Sequence, residues 1–201
     1  MTAATTNPPT RAGEVAPGVL ARARAGDQRA FTELVRHYDH RLRALAYRLL
    51  GDRAAMDDAL QEAYVKAFRA LPGFREDAAL GTWLYQITYR ACVDLQRREG
   101  RHEAAPLEEA GRGGLAGRGG VARHGGVAAD PASTAASRTD LQRALAGLPV
   151  DQRAAVLLVD AEGLDYDAAA SVLGVAPGTI ASRLSRARAA LRAALAEGET
   201  R

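Results

Sequence analysis

A glycine-rich stretch divides the chain into two parts with a helical pattern. Eight glycines fall within residues 111–126, among few apolar side chains. Ordering glycine costs more backbone entropy than ordering any other residue, and this segment has few apolar anchors to offset that cost. Apolar residues recur at helical spacing before the stretch, from residue 18 to about 98, and after it, from 139 to about 195. The pattern predicts an all-α chain of two small domains joined by a flexible Gly-rich linker, residues 99–137.

The outer boundaries follow from composition. Residues 1–16 are polar, show no helical stripe and lack the apolar core of a signal peptide, so we expect them to be disordered. The two domains then span 17–98 and 138–196. No apolar run approaches the ~20 residues that a bilayer crossing needs, which favours a cytoplasmic protein.

The second part has the pattern of a helix-turn-helix. Asp165 is placed to cap a short helix that Gly174 ends, and a second helix follows from Pro177. Asp151 is placed to cap the helix before this motif. The second helix of such a motif enters the major groove of DNA, and residues 178–195 contain four arginines and no acid. A solvated face fits the charge equally well, but the turn and spacing favour DNA binding. The candidate DNA-contacting residues are Thr179, Ser182, Arg183 and Arg186.

A helix predicted over residues 54–71 has a polar face opposite its apolar side. Asp58, Glu62 and Val65 lie on that face, with Gln61 at its edge. The face is either simply solvated, with like charges that repel mildly, or a docking surface for another protein. The residues alone favour the solvated face.

Aromatic and basic side chains alternate in residues 74–98. Unpaired bases stack on aromatic rings beside a positive groove, at about 1–3 kcal/mol per base. The spacing of Trp83 favours the core, whereas Tyr85 and Tyr89 have polar neighbours and are candidates for an exposed stacking platform. The arginines of this segment are Arg75, Arg90, Arg97 and Arg98.

No pattern in the sequence indicates catalysis or metal binding. The histidines have no third ligand at metal-binding spacing, and no P-loop or GxSxG turn occurs. A single cysteine, Cys92, excludes an internal disulfide. The 27 basic residues nearly balance the 24 acidic ones, so the placement of charge indicates the partner better than the net charge does. We predict a protein without enzymatic activity, metal or cofactor.

Four segments in this order resemble the extracytoplasmic-function sigma factors of bacterial RNA polymerase. The start of sigma region two resembles ARAGDQRAFTELVRHYDHRLRALAYRLLGD, and its polymerase-docking helix resembles MDDALQEAYVKAFRAL. The promoter-melting loop and the helix after it resemble FREDAALGTWLYQITYRACVDLQRR. Sigma region four is similar to LPVDQRAAVLLVDAEGLDYDAAASVLGVAPGTIASRLSRARAAL.

The resemblance implies roles for the candidate residues. The set Asp58, Gln61 and Glu62 would bind the clamp coiled coil of the polymerase β′ subunit, and the β subunit would also contact the chain. Residues 74–82, which include Asp77, would capture a flipped promoter base. The minus-ten element would then lie near Tyr85, Tyr89 and Arg90, and the helix over 177–193 would read the minus-thirty-five element. The resemblance also implies an anti-sigma factor, which in many members is a membrane protein.

We therefore predict a dissociable transcription initiation factor that binds core RNA polymerase and directs it to promoters. The alternative is a stand-alone helix-turn-helix regulator that binds duplex DNA without polymerase. Such a regulator would need neither the acidic face at Asp58 nor the aromatic segment after Pro72.

Overall fold

The computed structural model describes residues 17–76, 78–104 and 131–199, which form eight α-helices and no strand. The helices are α1 Pro17–Arg24, α2 Gln28–Leu50, α3 Arg53–Ala70, α4 Leu80–Ala104, α5 Pro131–Ala146, α6 Val150–Val156, α7 Tyr166–Leu173 and α8 Pro177–Glu199. A 3₁₀ turn, Leu71–Gly73, follows α3, and a π-helical segment, Leu157–Ala161, follows α6. The predicted all-α class is confirmed. Within the described ranges no helix has the length and apolarity to span a membrane.

Short polar residues and glycine set the ends of the first helices. The Asp27 carboxylate accepts the backbone N–H of Ala30 at the start of α2, and Asp52 does the same for Ala55 in α3. Gly51 ends α2 in the left-handed region, with φ 75°. These side chains satisfy backbone donors that the first helical turn leaves without partners.

Helices α1 to α4 form the N-terminal bundle. Its core consists of the apolar stripe of α2 packed against those of α3 and α4, as the helical spacing predicts. Phe31 of α2 meets Phe68 of α3 edge to face, with ring centroids 5.1 Å apart. A Cβ at Gly81 would lie 3.1 Å from a ring carbon of Tyr38, so this glycine allows α4 to approach α2 closely.

Helices α5 to α8 form the C-terminal bundle, whose core is built from Leu158, Val172, Ile180 and Leu184. Asp165 caps α7 as predicted, accepting the N–H of Ala168 at 2.7 Å, and Gly174 ends α7 with φ 67°. The tight turn that follows sets α8 against α7 in helix-turn-helix order.

The capping role predicted for Asp151 is wrong. Pro149 is the N-cap of α6 and makes no side-chain capping bond, while Asp151 lies within the first turn. Its carboxylate instead accepts hydrogen bonds from Tyr89 and Arg183. The Asp151 carboxylate therefore binds side chains outside its own helix and does not accept the backbone N–H groups of the first turn, as a capping residue would.

The described helices extend into both ends of the expected linker. Helix α4 continues beyond Arg98 to Ala104, and α5 begins at Pro131. The central part of the linker, residues 105–130, and the predicted disordered segment, residues 1–16, lie outside the described residues.

The two bundles pack against each other. Helix α4 lies along α7, and α2 contacts α5 and α6. At this interface Arg153 Nη1 donates to the backbone oxygen of Leu49 at 2.6 Å, and Gln86 Nε2 donates to that of Ser171 at 2.9 Å. This packing decides which candidate residues reach solvent.

Candidate functional site

The acid face is the exposed side of α3 formed by Asp58, Gln61 and Glu62, with Val65 beside them. Asp58 and Gln61 are exposed, and 44% of the surface of Val65 is exposed as well. Within the described part of the chain, Asp58 forms no ion pair. The acid face therefore offers a free carboxylate, an amide and an apolar contact, a combination that suits a protein partner with a basic surface.

Glu62 differs from its neighbours because it is already paired. Lys66 Nζ lies 2.7 Å from its carboxylate, and Arg98 of α4 donates to the other oxygen. Hydrogen bonds from these two cations lower the pKa of Glu62, and the larger effect comes from Lys66. Arg98, which is predicted to contact DNA, thus forms an ion pair with Glu62, which is predicted to contact polymerase. The pair connects the two predicted binding surfaces.

The exposed platform predicted at Tyr85 and Tyr89 is wrong for this arrangement. Tyr85 is 3% exposed and donates its hydroxyl to Glu162 at 2.6 Å. Tyr89 is 9% exposed and donates to Asp151 at 3.4 Å. The polar sequence neighbours suggested solvent, but these side chains face the C-terminal bundle, whose position the spacing along α4 does not reveal.

The other candidates of the segment over 74–98 are mostly exposed. Arg75, Arg90 and Arg97 all reach solvent, and the last two line a cleft between the bundles together with Arg183. Trp83 is half-buried against Phe74, with ring centroids 5.1 Å apart, which agrees with the expected core role. Asp77 lies outside the described residues. We call the candidates of this segment the α4 set: Arg75, Asp77, Tyr85, Tyr89, Arg90, Arg97 and Arg98.

The recognition face consists of Thr179, Ser182, Arg183 and Arg186 on α8. Ser182 and Arg186 are exposed and Thr179 is half-buried. The expectation that Arg183 lies on the open side is wrong, because its side chain is only 19% exposed and donates to Asp151 at 2.8 Å. Ser182 and Arg186 of this face therefore reach solvent, whereas Arg183 is turned towards the cleft.

The sequence analysis did not identify the residues that form polar contacts between the two bundles. They are Asp151, Arg153 and Glu162 of the C-terminal bundle, and Arg41 of α2, whose Nε lies 3.9 Å from the Glu162 carboxylate. One signal was present: residues 151–167 contain five acids and a single arginine, Arg153. An excess of one sign on a short segment indicates partners elsewhere in the chain.

Alkaline titration should detect the buried tyrosine at this interface. Burial raises the pKa of Tyr89 to about 12, and the negative charge of Asp151 makes a smaller contribution in the same direction. An exposed tyrosine has a pKa of about 10, so the packed arrangement holds the phenol proton more tightly than an open one. Its contribution to packing is complete below pH of about 10 and is lost as the pH rises towards 12.

The measurement is ultraviolet absorbance of tyrosinate in the intact chain and in Tyr89→Phe. The difference between the two curves should rise near pH 12. A difference curve centred near a pH of about 10 would show that Tyr89 is exposed in solution and would contradict the packed arrangement.

Comparisons with known proteins match two separate parts of the chain. Residues 34–102 match the family model for sigma-70 region 2, and residues 138–191 match the model for sigma-70 region 4. The ECF RNA polymerase sigma factor SigM of Mycobacterium tuberculosis is 40% identical over 173 residues, which cover 86% of this chain and 81% of SigM.

Two solved sigma-factor structures are similar in fold. The sigma factor RpoE of Bartonella quintana, in complex with the anti-sigma factor NepR, has a TM-score of 0.64 and 28% identity, covering 82% of this chain and 96% of that one. CnrH, in complex with the cytosolic domain of CnrY, has a TM-score of 0.62 and 26% identity, covering 89% and 96%.

These matches decide between the two functions that the sequence left open. A stand-alone helix-turn-helix regulator would account for the region 4 match alone, whereas this chain matches both sigma regions in the expected order. The alternative is therefore wrong. The chain belongs to the extracytoplasmic-function sigma factors, which bind core RNA polymerase and direct it to specific promoters.

Proposed function

We propose that the acid face docks the chain on core polymerase while the two bundles divide promoter recognition between them. The N-terminal domain, residues 17–98, acts on the minus-ten element, and the C-terminal domain, residues 138–196, on the minus-thirty-five element. The acid face binds the clamp coiled coil of the β′ subunit, and the β subunit contacts the chain as well. Tethering both domains on one polymerase raises their effective concentration at the DNA, so weak individual contacts suffice.

At the minus-ten element the α4 set captures an opened strand. Arg75, Arg90 and Arg97 are exposed cations that fit a single strand's phosphates. The rings of Tyr85 and Tyr89 become available for stacking once the bundles separate. Extruding a base costs a few kcal/mol, and stacking on these rings offsets part of that cost. Asp77 belongs to the loop that would receive the extruded base.

At the minus-thirty-five element α8 enters the major groove. Arg186 and Ser182 are exposed on the side of α8 that is turned away from Ile180 and Leu184. Arginine contacts both guanine edges and phosphates through its fork of donors. Thr179 and Arg183 complete the recognition face.

The partners of the chain follow from the same assignment. We include an anti-sigma factor among them, supported by the fold similarity to RpoE in complex with NepR. In many members of the family this factor is a membrane protein, and the chain itself works in the cytoplasm, where polymerase and promoters are. It contributes binding and DNA opening and catalyses no reaction of its own.

One observation carries this proposal. Helix α8 follows α7 through the Gly174 turn and presents Ser182 and Arg186 to solvent, in the same chain that exposes the acid face on α3. This arrangement supports the assignment of duplex DNA to one bundle and of a basic protein partner to the other.

Footprinting of the holoenzyme tests the assignment of the α4 set. Arg90→Ala should reduce permanganate reactivity of opened thymines about tenfold or more, because a charge-assisted phosphate contact is worth about 1.5–3 kcal/mol. Protection of the upstream element should remain. Arg36→Ala, which removes an exposed arginine from α2, is the matched control. Undiminished opening with Arg90→Ala would remove Arg90 from the DNA-contacting residues.

A further inference from the structure

We propose that the free chain holds itself closed through two carboxylates of the C-terminal bundle that stand in for DNA phosphates. The carboxylates are those of Asp151 and Glu162. The proposal rests on the proposed function, because it takes the α4 set and the recognition face to be the DNA-contacting surfaces. It adds a state in which the chain occludes its own promoter-binding residues before any other protein takes part.

Asp151 binds one side chain from each DNA-contacting surface. Its Oδ2 accepts from Arg183 Nη2 at 2.8 Å, and its Oδ1 accepts from the Tyr89 hydroxyl at 3.4 Å. A carboxylate and a phosphate offer a guanidinium the same chemistry, anionic oxygens that accept charge-assisted hydrogen bonds. A DNA phosphate would therefore compete with Asp151 for the guanidinium of Arg183.

Glu162 holds the second tyrosine in the same way. Its side chain is 7% exposed, and its Oε2 accepts the Tyr85 hydroxyl at 2.6 Å and lies 3.9 Å from Arg41 Nε. A carboxylate so deeply buried needs partners to offset its loss of hydration. Both of these partners belong to the N-terminal bundle, so they offset the burial of Glu162 across the interface between the bundles.

Arg153 binds backbone oxygens at the carboxyl ends of two helices at the same interface. Its Nη1 donates to the backbone oxygen of Leu49 in the last turn of α2, and its Nη2 donates to Ala146 and Leu148 at the end of α5. The last carbonyls of a helix lack partners within the helix and attract cations. One guanidinium thus joins the carboxyl ends of a helix from each bundle.

The closed state and the DNA-bound state compete for the same side chains. A base cannot stack on Tyr85 or Tyr89 while these rings are buried under the C-terminal bundle. The apparent affinity for promoter DNA is then reduced by the fraction of chains that are open. If about one chain in ten is open, full opening raises the apparent affinity about tenfold.

A charge reversal at the interface tests the proposal in the full-length chain. Glu162→Lys places a cation beside Arg41 and leaves the Tyr85 hydroxyl without its carboxylate. Asp167→Lys makes the same charge change at an exposed site on α7 and is the matched control. Spin labels on cysteines introduced by Gln28→Cys and Ala189→Cys, both exposed positions, report the distance between the bundles without polymerase or DNA.

The closed state predicts one narrow distance distribution for the unaltered interface and for Asp167→Lys, and a longer, broad one for Glu162→Lys. The isosteric Glu162→Gln should shift in the same direction by less. The affinity of Glu162→Lys for a promoter fragment should exceed that of Asp167→Lys about tenfold. An unfolded chain could not give such a gain. Equal distances, or equal affinities for these two variants, would overturn self-occlusion.

The two hypotheses fail in different ways. If Glu162→Lys leaves the distance unchanged while the holoenzyme still initiates at promoters, self-occlusion is wrong and the proposed function stands. If the bundles separate as expected but α4-set and recognition-face variants bind the promoter as tightly as the unaltered chain, the proposed DNA-contacting surfaces are wrong. In that case the closed state protects no binding site, and the proposal is overturned with them.

Discussion

An Asp58→Arg chain should lose affinity for core RNA polymerase by about 100-fold or more. Asp58 is exposed on the acid face and forms no ion pair among the described residues, so its charge is free for a partner. Removing one partner of a buried charge pair costs about 2–5 kcal/mol, and a reversal adds repulsion between like charges, so we expect a loss of about 3 kcal/mol or more, which is about 100-fold. Binding of the labelled full-length chain to core polymerase, measured by fluorescence anisotropy, checks this expectation.

Asp58 is a better test of the acid face than Glu62. Glu62 is bound by Lys66 and Arg98, so reversing its charge would also disturb the contact between α3 and α4. The control is Asp167→Arg, an equal change of charge at an exposed position of the C-terminal bundle. If Asp58→Arg and Asp167→Arg bind core polymerase alike, the acid face is a solvated surface and the docking assignment fails.

The second large effect is expected at Arg186. Arg186→Ala should weaken recognition of the minus-thirty-five element by about 1–3 kcal/mol, a loss of roughly 5- to 150-fold. Arg186 is exposed on α8, whereas Arg183 is held by Asp151 and would first have to be released. Competition between promoter fragments for the holoenzyme, at fixed salt, measures the loss.

Arg192→Ala is the control for this prediction because it removes an exposed arginine from the same helix, outside the recognition face. The two variants have equal net charge, so a difference between them reports position and not charge. A promoter with a scrambled upstream element should remove the difference. Equal losses for both variants would show that α8 contributes only general attraction to DNA.

The helices could be predicted because their signals are local. The apolar stripe of α2, the capping carboxylate of Asp165 and the left-handed glycines Gly51 and Gly174 act within a few residues of the chain. Asp151 shows the limit of this reasoning: its type and position fitted a cap, but side chains of α4 and α8 bind its carboxylate. The local sequence pattern cannot predict that residues distant in the chain will bind a carboxylate in place of the backbone.

The candidate residues could be named from the sequence, but not their surroundings. Tyr85 and Tyr89 are separated by one helical turn and share a face of α4, as the spacing predicts. Their burial depends on Glu162 and Asp151, which follow them by more than sixty positions. The same holds for Glu62, whose pairing with Arg98 brings α4 against the acid face. Contacts of this range follow from tertiary packing alone.

Run-off transcription with purified core RNA polymerase tests the central claim most directly. The templates are genomic fragments from the bacterium that carries the chain, and the reactions differ only in whether the chain is added. The account predicts discrete transcripts, from defined start sites, that appear with the chain and are absent with core polymerase alone. Identical products in both reactions would contradict it.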